Sequence, residues 1–195
     1  MFVVGSVQWI EWMGYPLFIF IAYWVGLQYD KVRFFAEKDV LTNLYNRRFV
    51  LHSFNRISDL VKRNNKKYYI LVIDCNDFKM INDTHGHEMG DEVLRQISLI
   101  LSKRTRQSDI AARWGGDEFL LIGEYQGDIG LQILINRIKS KIHSLSSKLN
   151  IQISVSIGYS ICPDDHNVLQ ELVSLADTKM YREKQINRRE KLLNA

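Results

Sequence analysis

The chain predicts a layered α/β domain, because apolar runs of strand length alternate with stretches of helical periodicity and a glycine pair marks a hairpin between two of the runs. Arg47 to Asn64 has helical periodicity. Tyr68 to Ile73 is a continuous apolar run, as expected of a central strand buried on both faces. Glu88 to Arg106 is a second helix, with Val93, Leu94, Ile97, Ile100 and Leu101 on one face. Asp109 to Trp114 and Phe119 to Ile122 are extended segments separated by Gly115-Gly116, a hairpin signal. Leu131 to Leu149 is a third helix, Ile151 to Ile161 alternates as a strand, and Val168 to Asn187 closes the chain as a helix.

At 195 residues with 46% hydrophobic content, there is room for one domain with a full core and a small appendage. The net charge of +4 is modest, and all 26 Lys and Arg lie beyond Asp30. The first thirty residues carry only Glu11 and Asp30 as charges, an asymmetry that points to a membrane and away from nucleic acid. Cys75 and Cys162 form no disulfide or metal framework and read as core thiols.

Residues 1–28 are apolar and aromatic, with Trp9, Trp12, Tyr15, Tyr23 and Trp24 spread like interfacial belts. They predict a membrane-anchoring helix, although the uncharged stretch Trp12 to Leu27 is slightly short of the roughly 20 residues of a span, and Pro16 can kink it. An interfacial helix, or the last span of a longer sensor, are the alternatives. Lys31 and Arg33 then place everything C-terminal in the cytoplasm by the positive-inside tendency. Residues 29–38 read as a helical stalk, and residues 39–195 as the main folded domain.

The chemistry concentrates in two clusters. In Arg113-Trp114-Gly115-Gly116-Asp117-Glu118-Phe119, the glycines let backbone approach a bulky ligand, while Asp117 and Glu118 repel each other unless a cation or a shared proton compensates them. Hard oxygen ligands of this kind suit magnesium. The second cluster runs from Asp74 through Asp77, Phe78 and Lys79 to Asn82, His87, Gly90 and Asp91. Asp74 ends the buried strand, where side chains commonly face a ligand crevice. Lys184 and Arg188 lie one turn apart on the last helix and share one face. Arg113 is open between a phosphate contact and a surface ion pair.

Together these motifs, in this order, resemble the GGDEF family of diguanylate cyclases, which condense two GTP into cyclic di-GMP. The resemblance covers Asp39 to Arg188 and implies a central, mostly antiparallel sheet flanked by helices, nucleotidyl-cyclase-like, preceded by one membrane helix. It implies that Asp74, the Cys75 carbonyl, Asp117 and Glu118 hold two magnesium ions per GTP, with manganese as a substitute. It also implies that Asn82 and Asp91 read guanine, that His87, Gly115 and Gly116 line the nucleotide site, and that Lys79, Lys184 and Arg188 handle phosphate. Guanine's N1 and N2 donors match a carboxylate, and an amide offers both donor and acceptor, although Asn and Asp here are equally the ordinary choices for turns and helix caps. Asp117 or Glu118 relays the proton of the attacking hydroxyl, and either is compatible with the sequence. Arg106 and Asp109, with Arg137 on the following helix, resemble the family's inhibitory product site, where arginine stacks on guanine and aspartate accepts from it. One guanine pocket per domain implies a homodimer in a bacterial cell, anchored at the membrane with its catalytic domain in the cytoplasm. A domain that binds cyclic di-GMP without turnover is the competing class. Three positions depart from the family: Asn43 and Asn187 stand where glycine is usual, and Asn76 where a second aspartate is common. Asn tolerates left-handed backbone, so the first two are mild, and Asn76 removes a nearby charge without removing a ligand.

Overall fold

Two faces of one sheet bury the apolar residues just described. The computed structural model describes residues 4–64, 66–104 and 109–193, and their side chains other than those of 4–14, 30–35, 56, 60–64, 104 and 190–193. It divides into Met1–Glu37 and Lys38–Ala195.

The first unit is the helix α1 (Val4–Glu37), with Pro16 inside it. Tyr15, Phe18 and Trp24 on it are exposed. Among the described residues no helix is long and apolar enough to cross a membrane. The membrane helix expected from residues 1–28 is therefore not found. Polar and charged residues resume at Gln28 and Asp30, so the uncharged run falls short of a bilayer span.

In the second unit the order is β1 (Tyr45–Asn46), α2 (Arg47–Asn64), β2 (Tyr68–Cys75), α3 (Phe78–His85), α4 (His87–Arg104), β3 (Ile110–Gly115), β4 (Glu118–Glu124), α5 (Asp128–Leu149), β5 (Val155–Cys162) and α6 (Leu169–Leu193). The sheet runs β1-β3-β4-β2-β5. β2 pairs antiparallel with both β4 and β5, and β3 with β4, but β1 pairs parallel with β3. The sheet is thus mixed, where a mostly antiparallel one was expected. The parallel strand is only two residues long and leads straight into α2, too short to leave a periodic signal.

Side chains alternate across the sheet as pleating requires. Leu71, Ile73, Phe119 and Leu121 face α3, α4 and α5, whose Ile81, Val93, Ile97, Ile138 and Ile142 complete that core. Ile70, Val72, Leu120 and Ile122 face α2 and α6, whose Val50, Phe54, Leu172, Ala176 and Met180 complete the other. This explains the unbroken apolar run of β2. Asp74 belongs by alternation with Ile70 and Val72, on the α6 face.

Two local departures from expectation have physical causes. α3, not anticipated, buries only Ile81 and so leaves no apolar stripe to read. Residues 151–154 do not join β5, because Ile153 exchanges hydrogen bonds with the Ser146 hydroxyl, accepting at 3.0 Å and donating at 2.8 Å, at the end of α5. Gly158 sets how closely α6 lies on β5: a Cβ there would stand 1.9 Å from the Ala176 carbonyl oxygen and 2.3 Å from the Met180 nitrogen.

Candidate active site

The β3–β4 hairpin has Gly116 and Asp117 at its turn, with Gly116 at φ +50°, and its register shifts between Arg113 and Gly115. Arg113 braces it: Nε donates to the Gly116 carbonyl at 2.8 Å, and Nη1 lies 3.2 Å from Asp39 Oδ1. Asp39 in turn accepts from the Thr42 amide and hydroxyl at 2.9 and 2.6 Å. Arg113 is therefore an ion-pair partner that ties the turn to the start of the unit. Burial pushes the Asp39 carboxyl up, but the Thr42 hydrogen bonds and Arg113 outweigh it and hold it below the usual aspartate range.

The turn's other side meets the end of β2. The Cys75 amide donates to the Asp117 carbonyl at 3.3 Å, and Asp74 and Glu118 are direct register partners across the β2–β4 ladder. Burial raises the Glu118 carboxyl, and Asp74, Asp177 and Asp117 raise it further against a weaker pull from Lys184. Asp74 is also raised, by burial first and with Asp117 adding to it, although Lys184 opposes both. Lys184 Nζ lies 2.5 Å from Asp74 Oδ1. The buried Cys75 thiol is pushed up to about 12, by burial and then by these carboxylates, so it is inert as a nucleophile and only its carbonyl is available as a ligand.

Of the expected nucleotide residues, Lys184 and Arg188 meet the β2 end at Asp74 and Asp77, while Lys79 and Asn82 lie on α3 and His87 and Asp91 on α4. Asp77 adopts left-handed φ 54° and turns the chain from β2 into α3, whose first residues are Phe78 and Lys79, with Lys79 exposed. Gly90 fits α4 against α3: a Cβ there would stand 1.9 Å from Asn82 Oδ1, so Asn82 lies against the helical turn that carries Asp91. Asp91 is half-exposed, 3.9 Å from Arg95, and His87 is exposed at the start of α4. Arg188 lies 3.9 Å from Asp77 on the same side as Lys184.

The expected product site lies elsewhere on the unit. Asp109 and Arg137 line one cleft of about 200 Å³ with Tyr69, Tyr125 and Leu134, while Arg106 lies outside the described residues. Sequence reasoning missed Asp177, which lines a cleft of about 350 Å³ with Glu118, Trp114 and Arg47, whose guanidinium lies 4.7 Å from the Trp114 ring. Its position two turns before Lys184 on α6 was the available signal.

Among the described residues no three His, Cys, Asp or Glu side chains converge to hold a metal. The oxygens present nevertheless fit magnesium. That ion usually keeps several waters and takes one or two carboxylates together with substrate phosphates, and here two crowded carboxylates with raised proton affinity stand beside a backbone carbonyl.

Residues 36–190 match the family model described as "Diguanylate cyclase, GGDEF domain". Over 147 residues the chain is 35% identical to Diguanylate cyclase DosC of Escherichia coli (strain K12), which covers 73% of this chain and 32% of that protein. It is 28% identical over 163 residues to Cyclic di-GMP phosphodiesterase PdeR of the same organism, covering 80% and 24%. The chain thus spans a third or less of the length of these relatives. Among solved structures, the coiled coil and GGDEF domain of DgcB from Caulobacter crescentus, in complex with c-di-GMP, superimposes with a TM-score of 0.75 at 25% identity, covering 89% of this chain and 94% of that one. The hairpin, the strand end beside it and the family match over most of the chain agree: this chain belongs to the GGDEF domain family.

Proposed function

We propose that this chain is a diguanylate cyclase that condenses two GTP into cyclic di-GMP with release of pyrophosphate, working as a magnesium-dependent homodimer. The observation that carries the reading is the pairing of Asp74 with Glu118 at the hairpin, two crowded carboxylates with Lys184 beside them. Asn82 and Asp91 hold the guanine edge, and Gly115 and Gly116 let the hairpin backbone close over the nucleotide. Lys184 and Arg188 neutralise phosphate oxygens from α6, and Lys79 does so from the start of α3. Asp74, Glu118, Asp117 and the Cys75 carbonyl would hold magnesium, which supplies charge neutralisation at the α-phosphate and the leaving pyrophosphate.

The reaction forms a bond between the 3′-oxygen of one GTP and the α-phosphorus of the other and breaks the bond to the departing pyrophosphate. The 3′-hydroxyl proton passes to Asp117 or Glu118. Each unit presents one nucleotide, so two copies facing each other complete the ring. Product returning to the Asp109 and Arg137 cleft, with Arg106, restrains turnover. GTP chemistry places the unit on the cytoplasmic side of a bacterial cell, and the exposed apolar side chains of α1 are suited to attachment at the membrane surface.

A second reading is a silent cyclic di-GMP binding module, favoured by the match to a phosphodiesterase and by the intact Asp109 and Arg137 cleft. Glu118→Gln separates the two. Loss of synthesis with cyclic di-GMP binding retained supports the cyclase, whereas an unmodified chain that binds cyclic di-GMP tightly and never consumes GTP supports the module.

A further inference from the structure

The last turns of α6 are held to the sheet in a different way from the first. Its buried apolar residues, Leu169, Leu172, Ala176 and Met180, follow helical spacing and end at Met180. Among the described residues after that point, none is buried, and Tyr181 and Ile186 are exposed. Yet this is the part that carries Lys184 and Arg188. Polar contacts replace the apolar ones: Glu183 accepts from the Ile157 amide at 2.5 Å and pairs with Lys139, while Lys184 meets Asp74.

All three contacts involve a charged group, and the two lysines among them are point charges on flexible stems, which set position poorly. One neutral chain of hydrogen bonds supplies direction. Asn187 Nδ2 donates to Ser156 Oγ at 3.3 Å, Ser156 Oγ donates to Asn76 Oδ1 at 2.8 Å, and Asn76 Nδ2 donates to Ser154 Oγ at 3.0 Å. The Asn76 amide also donates to the Ser154 carbonyl at 2.9 Å. Ser156 and Asn76 are buried, so each bond is directional and costly to leave unmade. The chain of bonds runs from the helix turn carrying Arg188, through β5, to the residue two beyond Asp74. Asn76, Asn187, Lys184, Arg188 and Asp77 line one cleft.

We propose that Asn76, Ser156 and Asn187 are positioning residues that fix the cationic end of α6 over the Asp74 strand end, and so set where Lys184 and Arg188 meet nucleotide phosphate. The inference rests on the GTP-binding reading above. The amide matters because Asn76 accepts from Ser156 and donates to Ser154 at once, and an ionised carboxylate has no proton to donate. Two departures from the family pattern, Asn76 and Asn187, are thereby joined through one serine.

The test is equilibrium binding of GTP with magnesium to the whole chain, with cyclic di-GMP binding measured alongside. Asn187→Ala, which keeps helix propensity, is expected to weaken GTP binding about fivefold, the scale of one lost hydrogen bond, and to leave cyclic di-GMP binding unchanged. Asn76→Asp is expected to weaken GTP binding as well. In a chain already carrying Lys184→Ala and Arg188→Ala, adding Asn187→Ala should change GTP affinity by less than about twofold, since its effect runs through those cations. Parent-like GTP binding by Asn187→Ala overturns the inference alone. So does a full additional loss in the cation-free background, or a parallel loss of cyclic di-GMP binding. A parent chain that binds no GTP overturns the inference and the functional reading together.

Discussion

Asp39 and Glu118 flank the same hairpin turn, yet the fold treats their carboxyls in opposite ways. Asp39 is supplied with partners from the protein, Thr42 and Arg113, and is held as a stable anion. Glu118 is partly buried beside Asp74, Asp117 and Asp177, which raise its carboxyl against a weaker pull from Lys184. A carboxylate satisfied by the chain braces structure, whereas one crowded by its own kind is kept in a state that a ligand relieves. The brace holds the turn, and the turn holds the crowded site.

The sharpest way to break this contrast is substitution on each side. Glu118→Gln should lower cyclic di-GMP synthesis about a hundredfold or more, the scale of removing one preorganised electrostatic contact at a transition state, as read by product formation. Its folding should be intact. Asp39→Ala should instead cost about 2 kcal/mol of stability in urea unfolding, because it removes charge-assisted bonds and leaves Arg113 without a counter-charge.

The pH dependence should separate the two sites by sign. The Glu118 carboxyl is raised in the folded chain, so its protonated form favours folding and the charged form opposes it as pH rises above the ordinary value of 4.5. Glu118→Gln should accordingly melt higher than the parent near neutral pH, and the gap should close on acidification below that value. The Asp39 carboxyl is lowered, so its stabilisation is present above 3.8 and is lost as pH falls through its folded value. The penalty of Asp39→Ala should shrink in acid. The smallest effect is expected far from either site: Lys67→Ala removes an exposed ion pair with Asp164 and should change stability by less than about 0.5 kcal/mol.

What could be read from the sequence follows from how strongly each residue's environment repeats. β2 and the hairpin were legible because burial on two faces forces an apolar run, and because Gly116 meets a positive φ that few residues adopt. The placement of Asp74 at a strand end came with them. β1 was not legible at two residues, nor was its parallel pairing with β3, which depends on a contact distant in sequence. Gly90 and Gly158 carry information of another kind, since each marks where one element's backbone must approach another, and only the fold names the partner. Arg113 was open between phosphate and carboxylate until Asp39 was brought beside it. At the N-terminus apolar composition suggested a span, but among the described residues no helix is long and apolar enough to cross a membrane.

The most direct test of the account is to incubate the whole chain at increasing concentration with GTP and magnesium and to separate the nucleotides by chromatography. Cyclic di-GMP forming at a rate that rises more steeply than protein concentration is the result predicted for two facing copies of the Asp74 and Glu118 site. GTP left unchanged at every concentration would contradict it.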